Sequence, residues 1–550
     1  MKIKHGLASV VCISLASCGG GGTESPTAPS PAPVSTRGTA ALVMPAADTK
    51  FQWEIAMPIA VSLLDSNNAV VAGPLTCTAA IAGAVDVSAN CTSLTAKRIG
   101  AQTIVVSSGS TTASFVIKAI PQRQPLTARS IASGSTTYSV TTSAGSPWFW
   151  GGNYSGKLGQ LLSFATLNEA GLPMAAKEGA TTPMVNIVST TTGTNNAMAL
   201  TEDGEIWSWG GASLKVLGFV SPTPDVALAP GKVRNAANSE NLSHIVQTGL
   251  GQENASALAD DGSVYSWGNG VTAGQGTNAS GAFANKVQLA NGSFLSDIVH
   301  ISVGNNFTLA LTRSGAVYAW GSDNMLNTST AISAMGKQVA YATPVVVAGT
   351  LAPLSGIVSV SAGYLNSMAL TASGTVYAWG RNDFGQLGQG TRSAAGIGSL
   401  AVLVKAPATQ SGDLSGIKAI SAGGNHQLAL TATGEVLAWG YTPDGAIGEG
   451  NTVNLGNEVT LPRYVIDTSG TGNLTGIKAI AAGYSNSLAL MSSGEVLIWG
   501  RNFASSLGQN LSSVQLATSR VPLKVKDATG TGTINVGPIA DFRNLLQQFP

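Results

Sequence analysis

The sequence has little charge for its length. Only 10% of its 550 residues are Asp, Glu, Lys or Arg, against about 25% in a typical soluble domain. The 28 Lys and Arg residues nearly balance the 27 Asp and Glu residues, which leaves a net charge of +1. A nucleic-acid-binding surface needs a clustered positive excess, so we expect no nucleic-acid partner. Because 44% of the residues are hydrophobic, the low charge does not indicate general disorder.

Long apolar runs and catalytic motifs are also missing. No run of about 18 apolar residues follows the N-terminus, so no transmembrane helix is predicted. The chain lacks the Gly-x-Ser-x-Gly, His-Glu-x-x-His and Gly-x-x-x-x-Gly-Lys-Ser/Thr motifs that mark hydrolases, metalloproteases and phosphate-binding loops. There is no Cys-x-x-Cys, and the histidines lie far apart, at His5, His244, His300 and His426. We therefore predict no metal site, no cofactor and no enzymatic activity.

The N-terminus predicts export. Lys2 and Lys4 precede a short apolar run, the layout of a signal peptide, here residues 1–17. The run ends in Leu15-Ala16-Ser17-Cys18, which resembles the bacterial lipobox. That resemblance implies that Cys18 is lipidated and that the glycine after it favours the outer membrane. An ordinary secreted protein is the alternative, and residues 18–37, rich in Gly and Pro, are predicted to be a linker.

Only four cysteines are present, and two of them are expected to form a disulfide. Cys12 would leave with the signal peptide and Cys18 would carry lipid, which leaves Cys77 and Cys91 in an exported protein. A disulfide between them is the natural inference. It would close a loop of about 15 residues, worth about 3 kcal/mol in the chain-entropy model.

Residues 38–120 predict a small β-sandwich. Short β-branched or alternating runs, such as residues 59–63, 102–107 and 113–117, are separated by clusters of turn-forming residues. The segment at residues 100–106 resembles a late strand of bacterial immunoglobulin-like domains. We interpret this domain as a spacer without a ligand of its own.

The rest of the chain is organised by a repeated Trp-Gly pair. The successive spacings are 59, 58, 53, 59, 60 and 60 residues, and the tryptophans are Trp150, Trp209, Trp267, Trp320, Trp379, Trp439 and Trp499. Near-equal steps of this length indicate a repeat architecture. We expect these seven tryptophans to pack between neighbouring repeats as core residues, not to form a ligand cage.

Each repeat predicts four short antiparallel strands. Alternating patterns give three strands, with a glycine between the second and third that suits a tight hairpin turn, as at Gly374. A fourth strand is predicted to start at a proline, as at Pro344, Pro462 and Pro522, and to lie at a sheet edge because proline donates no hydrogen bond. Seven such units predict an all-β fold, a seven-bladed β-propeller over residues 125–550, preceded by the small β-sandwich.

The repeats resemble those of the regulator of chromosome condensation family, also called alpha-tubulin-suppressor-like repeats. The fifth unit carries Ser-x-x-Leu-Thr, Val-Tyr-x-Trp-Gly and, at residues 385–388, Gly-Gln-Leu-Gly. The resemblance covers residues 125–525 and implies a seven-bladed propeller. We further expect either residues 522–525 or residues 125–128 to close the ring with strands from the opposite end of the chain. A short amphipathic helix is predicted at residues 539–549.

Loop residues supply the candidate binding site, because loops on rigid scaffolds commonly carry recognition. Arg381, Tyr441 and Arg501 each follow a Trp-Gly pair, and Tyr364 and Tyr484 each follow an Ala-Gly pair. Arg and Tyr are enriched among the residues that dominate interface energies. A polar column at Asn196, Asn254, Asn366, His426 and Asn486 is interpreted instead as a hydrogen-bonding device of the blades, not as a catalytic site.

Three functions remain open at this stage. The preferred one is a surface-anchored, non-catalytic and monomeric binding module that engages an extracytoplasmic protein or polysaccharide through one propeller face. Its contact with the membrane would be through the lipid anchor alone, in the cell envelope or as a secreted protein. The first alternative, implied by the family, is a guanine-nucleotide exchange factor. The second alternative is an envelope carbohydrate-active enzyme, which a close acidic pair on one face would favour.

Overall fold

We describe the protein from a computed structural model. It divides into two compact units, residues 1–122 and 123–550. The residues described are 39–43, 51–65, 67, 69–121, 137–142, 144–163, 167, 169–212, 215–276, 281–322, 338–393, 398–450 and 456–536. The signal peptide, Cys18, the linker, residues 125–128 and the predicted helix at 539–549 therefore lie outside the described residues. Across the described ranges, no helix has both the length and the apolar character to cross a membrane.

The first unit consists of three small sheets. Their strand orders are β2-β9-β8-β5, β3-β7-β6 and β1-β4. All pairings are antiparallel except that of β2 with β9. The strands are β1 (Thr39–Val43), β2 (Phe51–Gln52), β3 (Ala56–Pro58), β4 (Ala60–Leu64), β5 (Thr76–Ala79), β6 (Val85–Val87), β7 (Ser93–Ala96), β8 (Gly100–Ser108) and β9 (Thr111–Ile120).

One hydrophobic core lies between these sheets. Phe51, Leu63, Leu94, Ile104 and Ile117 come from different strands and are buried together, because alternate residues of each strand point to the same side. The arrangement is the β-sandwich that the alternating runs predicted.

The predicted disulfide is present. Cys77 of β5 is bonded to Cys91, with the two Cα atoms 5.6 Å apart. Cys91 ends a short 3-10 turn, Ala89–Cys91, and both cysteines belong to the buried core. The bond ties this turn to the four-stranded sheet.

The second unit is a propeller of seven sheets. Six of them have four strands, and the first has three among the described residues, which correspond to the second, third and fourth strands of the other blades. Short 3-10 turns at Tyr154–Gly156, Gly270–Ala273 and Phe503–Ser505 lie in loops after third strands. The strands are, in blade one, β10 (Thr137–Thr141), β11 (Pro147–Gly152) and β12 (Glu169–Ala175); in blade two, β13 (Ile187–Thr192), β14 (Asn196–Thr201), β15 (Ile206–Gly211) and β16 (Val226–Lys232); in blade three, β17 (Ile245–Leu250), β18 (Asn254–Ala259), β19 (Val264–Gly268) and β20 (Gly281–Lys286); in blade four, β21 (Ile298–Val303), β22 (Phe307–Thr312), β23 (Val317–Ser322) and β24 (Gln338–Pro344); in blade five, β25 (Ile357–Ala362), β26 (Asn366–Thr371), β27 (Val376–Arg381) and β28 (Gly398–Leu403); in blade six, β29 (Ile417–Ala422), β30 (His426–Thr431), β31 (Val436–Tyr441) and β32 (Glu458–Tyr464); in blade seven, β33 (Ile477–Ala482), β34 (Asn486–Met491), β35 (Val496–Arg501) and β36 (Thr518–Lys524).

The strands within each blade are antiparallel and follow chain order. The first strands of adjacent four-stranded blades lie beside one another, and hydrogen bonds join several of them. The hydroxyls of Ser302, Ser361 and Ser421 accept from the first-strand N–H of the next blade at 2.7, 2.9 and 2.9 Å. These small polar side chains connect successive inner strands.

The tryptophan of each Trp-Gly pair is fully buried, as predicted. In five blades its indole N–H donates at 2.8–3.0 Å to a carbonyl in the loop after the third strand of the preceding blade. The pairs are Trp150 with Ser506, Trp209 with Lys157, Trp267 with Val216, Trp439 with Gln386 and Trp499 with Ala446. Each of these tryptophans therefore holds two blades together.

The glycine after each tryptophan is required by the backbone. Gly210, Gly440 and Gly500 have φ of +107°, +111° and +113°, values that L side chains rarely adopt. A Cβ on Gly440 would also overlap the carbonyl oxygen of Asn425. The ladder shifts register at this glycine, between Ala438 and Gly440, so Trp-Gly marks a β-bulge.

The fourth strands lie at sheet edges as predicted, but they begin earlier than predicted. β24, β32 and β36 place Pro344, Pro462 and Pro522 at or near the strand end, not its start. Pro462 and Pro522 lie where the ladder with the third strand shifts register. A bulge on an edge strand needs no N–H at that position, and the apolar pattern alone does not reveal it.

The ring closes where blade seven meets blade one. The Trp150 indole donates to Ser506 O at 2.9 Å, and the Tyr138 hydroxyl donates to Asn486 Oδ1 at 2.5 Å. Tyr138 and Trp150 also share one buried cluster with Leu488 and Ile498 of blade seven. The first and last blades are therefore joined by the same kind of contact that joins the others.

Of the two segments expected to close the ring, residues 125–128 lie outside the described residues, and residues 522–525 do not close it. They belong to β36 and the residue after it, and β36 pairs with β35 of its own blade. The chain continues to Val536, whose N–H donates to Gly494 O at 3.0 Å. Ile477 makes the same bond to Gly434 at 3.1 Å where the first strand of blade seven begins. The last described residue thus occupies the position at which a first strand begins in other blades.

Removing residues after Arg520 should sharply lower the melting temperature. The deletion removes half of β36 together with Val525, Ile534 and Val536, which pack in the cluster between blades seven and one. Loss of several buried side chains costs about 2–5 kcal/mol each, enough to lower the melting temperature by more than about 10 °C. Thermal unfolding of this truncation should be compared with that of a chain ending at Val536. Equal melting temperatures would show that residues 521–536 do not support the ring.

Candidate binding surface

All five predicted binding residues lie at the same end of the propeller. Tyr364 and Tyr484 lie in the connections between first and second strands, and Arg381, Tyr441 and Arg501 end third strands. In an antiparallel blade, the connection from first to second strand and that from third to fourth meet at one end. We call the cluster of these five residues with Phe384 the tyrosine–arginine surface.

The two tyrosines from first-strand connections meet across a blade. The rings of Tyr364 in blade five and Tyr484 in blade seven are 5.4 Å apart, edge to face, a favourable geometry for aromatic pairs. Blade six has Gly424 at the equivalent position. A Cβ there would lie 2.8 Å from Tyr484 Cα, so the glycine makes room for the pair.

Arg381 is held by its own loop. Its guanidinium donates to the Asp383 carboxylate and lies over the Phe384 ring, 5.5 Å from the centroid. The Phe384 ring in turn meets Tyr441 of blade six edge to face at 4.7 Å. Phe384 thus connects two of the predicted binding residues.

Arg501 forms the outer part of the surface. Its Nη1 lies 3.9 Å from Asp444 Oδ1 of blade six, and its guanidinium lies 5.7 Å from the Phe503 ring centroid. The side chain of Arg501 is 54% exposed, and Phe503 is 46% exposed. This arginine and this phenylalanine are therefore accessible to a partner and lie close together.

The tyrosine pKa values show that the members of the surface interact. Burial raises the pKa of Tyr364, Tyr484 raises it further, and Arg381 opposes the rise. Burial also raises the pKa of Tyr441, together with Asp444, while Arg501 lowers it. Both phenols therefore stay protonated at neutral pH and can donate or accept hydrogen bonds.

The side chains of this surface are of kinds that bind other molecules. The surface offers aromatic rings, phenol hydroxyls and two guanidinium groups, and the Asp383 and Asp444 carboxylates are each paired with an arginine. No group of three His, Cys, Asp or Glu side chains able to hold a metal occurs within the described ranges. The sequence did not point to Asp383, Asp444 or Phe503; their only signal is their place in the loops after Trp-Gly.

The polar column lies at the start of the second strands and is buried, as its interpretation required. His426 Nε2 lies 2.9 Å from Ser487 Oγ of the next blade, and Asn366 Nδ2 donates to Gly424 O at 3.3 Å. Burial lowers the pKa of His426 to about 4. The column forms hydrogen bonds between blades at Asn254, Asn366, His426 and Asn486, whereas Asn196 donates to Gly211 O of its own blade. Its histidine is neutral in the folded protein.

Lys157 is a buried lysine near the same end of the propeller. It occupies the second position of the Gly-Lys-Leu-Gly loop of blade one, and its Nζ donates to Thr194 O at 2.8 Å. Its side chain is fully buried, and burial lowers its pKa to about 7. The equivalent residue of blade five is Gln386, a neutral donor that is also buried.

The fold places the protein in the class of repeat proteins that form a seven-bladed β-propeller from Trp-Gly repeats. Comparison with protein-family models agrees with this class. The RCC1-like domain model matches residues 100–465, well over half of the chain. The regulator of chromosome condensation (RCC1) repeat model matches residues 477–509. The chain belongs to the RCC1-like repeat family.

Curated relatives share parts of this chain. E3 ubiquitin-protein ligase HERC2 of Homo sapiens is 33% identical over 268 residues, which are 48% of this chain and 5% of HERC2. Protein pim1 of Schizosaccharomyces pombe is 26% identical over 395 residues, covering 65% of this chain and 68% of pim1. Ultraviolet-B receptor UVR8 of Arabidopsis thaliana is 26% identical over 325 residues, covering 58% and 67%. The chain thus spans a small part of HERC2 and about two thirds of the other two.

Solved structures show the same fold. Prp20p from Saccharomyces cerevisiae superposes with a TM-score of 0.54 at 22% identity, covering 71% of this chain and 88% of Prp20p. Human WBSCR16 superposes with a TM-score of 0.54 at 21% identity, covering 70% and 94%. At this level of identity the likeness concerns the fold of the propeller.

Replacing His426 by Asn, the residue at this position in four other blades, should reduce acid sensitivity. The unfolded chain binds the His426 proton near pH 6.5, but the folded protein binds it only near pH 4. The free energy of unfolding therefore falls as the pH drops through this window. Urea unfolding at several pH values should show a shallower fall for His426→Asn. The same slope in both proteins would show that His426 is not buried in its neutral form.

Lys157→Met should change how the free energy of unfolding depends on pH above neutrality. The folded protein binds the Lys157 proton only below about pH 7, whereas the unfolded chain, with the ordinary lysine pKa of 10.5, binds it up to that pH. The free energy of unfolding of the wild type therefore rises from about pH 7 to 10.5. Lys157→Met should lack this part of the rise, with Lys232→Met, at a half-exposed position, as the control. A rise that is unchanged in Lys157→Met would contradict the buried, weakly basic amine.

Proposed function

We propose that this protein is a non-catalytic binding module, which engages a protein or polysaccharide outside the cytoplasm through the tyrosine–arginine surface. One observation carries the proposal: five residues from three blades, chosen by sequence position alone, converge with Phe384 at one end of the propeller. Together they span residues 364–501 of the chain. Such convergence gives a rigid scaffold one continuous recognition surface.

The energetics of the surface support binding. Tyr, Trp and Arg dominate interface energies because they bury large areas at low entropic cost. Here Arg381 is held by a hydrogen bond to Asp383, so little of its side-chain freedom is left to lose when a partner docks. Arg501 lies 3.9 Å from Asp444 and remains available to the partner. The partly exposed Tyr484 at 37% leaves apolar area for the partner to cover.

Similar proteins are consistent with partner binding. Prp20p has binding properties toward Gsp1p and histones, and yeast RCC1 (Prp20) has been solved bound to Kap60. These facts concern those proteins. They support the idea that a propeller of this family presents a surface to other macromolecules, and they keep guanine-nucleotide exchange as the alternative to be tested.

The location in the proposal depends on the N-terminal sequence. Cys18 in its lipobox-like context would attach the protein to the outer membrane, and residues 18–37 would act as a spacer. The β-sandwich, with its loose likeness to immunoglobulin-like domains, would extend that spacer. In this proposal a monomer contacts the membrane through its lipid only.

Capture of a partner by the purified full chain tests the proposal. We expect envelope or extracellular extract to yield one stoichiometric partner, and we expect Arg501→Ala and Tyr484→Ala each to weaken its binding about thirtyfold, the effect of about 2 kcal/mol at a dominant interface residue. Arg313→Ala is the matched control, because this arginine lies in a hairpin between second and third strands at the opposite end and pairs with Asp297.

Two results would contradict the proposal. Affinity unchanged in Arg501→Ala and Tyr484→Ala would remove the surface from the interaction. Capture of a GTPase alone, with faster nucleotide release in the presence of this protein, would favour the exchange-factor alternative.

A further inference from the structure

Blade three has a groove on its circumference, away from the tyrosine–arginine surface. The groove has a volume of about 550 Å³ and lies between the outer strand β20 and the connection that follows blade two. This volume is within the range of small-ligand sites. We call it the blade-three groove. Its lining includes Asn235, Tyr265, Gln275, Asn285, Lys286 and Phe294.

Lys286 is the charged group of the groove and has no carboxylate partner among the described residues. Its Nζ lies 3.2 Å from Ser263 Oγ. The lysines at the same register in blades two and seven are neutralised: Lys232 lies 2.6 Å from Glu205, and Lys524 lies 2.6 Å from Glu495. Blade three keeps the lysine and has Ser263 in place of the glutamate.

Phe294 is the second residue that distinguishes blade three from the other blades. It forms an isolated bridge with Gln288, and the equivalent position of the bridge in the other six blades holds no aromatic residue: Pro183, Asn241, Pro353, Asp413, Asn473 and Thr533. Those blades show that the fold does not need an aromatic side chain there. Phe294 is nevertheless 54% exposed, and its ring centroid lies 6.0 Å from Lys286 Nζ.

The lysine without a carboxylate partner among the described residues and the exposed phenylalanine, the two features that distinguish blade three, lie next to each other. Lys286 Nζ lies 5.7 Å from the Tyr265 ring centroid as well as close to Phe294, so the uncompensated cation lies between two aromatic rings. Phe294 and Tyr265 offer flat apolar faces, and amides at Gln275 and Asn285 line the same groove. A ligand that fits carries a carboxylate beside a ring-shaped, hydroxyl-bearing body.

An added peptide strand fits this groove less well. β20 is an edge strand, but Ala284 N–H already donates to Arg234 O at 3.1 Å, and Asn235 forms a parallel bridge with Ala284. The edge is therefore partly covered by the chain itself, and strand addition needs a run of free backbone groups. Amide side chains can instead donate to and accept from neighbouring hydroxyls.

We propose that the blade-three groove binds a uronic-acid residue of an acidic polysaccharide, with the sugar carboxylate paired to Lys286 and the sugar ring against Phe294 or Tyr265. The site is separate from the tyrosine–arginine surface and does not depend on the function proposed for it.

The test measures binding of the full chain to polygalacturonate, alginate and hyaluronate by affinity electrophoresis, with dextran as the neutral comparison. We expect retardation by at least one of the three acidic polymers at low salt and less at high salt, since the pair is partly exposed. Lys286→Gln and Phe294→Asn should each weaken that binding about tenfold, the effect of losing one charged or stacking contact. Ser263→Glu should do the same, because it gives Lys286 the carboxylate that Lys232 and Lys524 already have.

Two controls separate this site from general attraction to polyanions. Lys232→Gln removes a lysine that is already paired and should leave binding unchanged, and so should Arg501→Ala. Ser263→Glu keeps the side-chain pattern of blades two and seven, so its unfolding temperature should match the wild type. Absence of binding to all three acidic polymers would overturn the proposal. So would equal binding of Ser263→Glu and wild type, or stronger binding to polyglutamate, which would identify an acidic peptide as the ligand.

Discussion

The structure of the propeller depends on a contact between each tryptophan and the preceding blade. A single four-stranded sheet cannot bury both of its faces, so a blade is stable only between two others. The indole of Trp439 fills that interface and donates to Gln386 O in the loop after the third strand of blade five. The same contact between Trp150 and Ser506 completes the ring. The loops that accept these bonds in blades five, six and seven follow Arg381, Tyr441 and Arg501 and include Phe384, so the tryptophan contacts hold part of the tyrosine–arginine surface.

Repetition also provides an internal comparison. A position that tolerates Pro, Asn, Asp or Thr in six blades does not need an aromatic residue to fold, so Phe294 calls for another explanation. Gly424 is informative for the opposite reason: by lacking a side chain it lets Tyr364 and Tyr484 meet across blade six. Positions at which one blade carries a different residue from the others can therefore serve a purpose other than folding. Both candidate sites contain such a position, Gly424 in one and Phe294 in the other.

Most of the fold was predictable because the repeat exposes it. The Trp-Gly spacing predicted seven blades, the hairpin glycine predicted the turn between second and third strands, and the tryptophans are buried as expected. The start of the fourth strand was not predictable, since a bulge at Pro462 leaves no mark in the apolar pattern. The closure by residues 522–525 was wrong because sequence shows which segments resemble a strand but not which neighbour each one pairs with.

The number and kind of blades, the buried tryptophan column and the disulfide between Cys77 and Cys91 could be read from the sequence alone. Each follows from local spacing or from a small set of possible partners. The sequence also nominated Arg381, Tyr441, Arg501, Tyr364 and Tyr484 one by one. That these five form one surface with Phe384, and that Lys286 lies near both Tyr265 and Phe294 with no carboxylate partner among the described residues, emerges only from the folded structure. Side chains that are far apart in the chain come into contact only after the blades have packed around the ring. A local sequence pattern therefore does not reveal how close two such side chains lie.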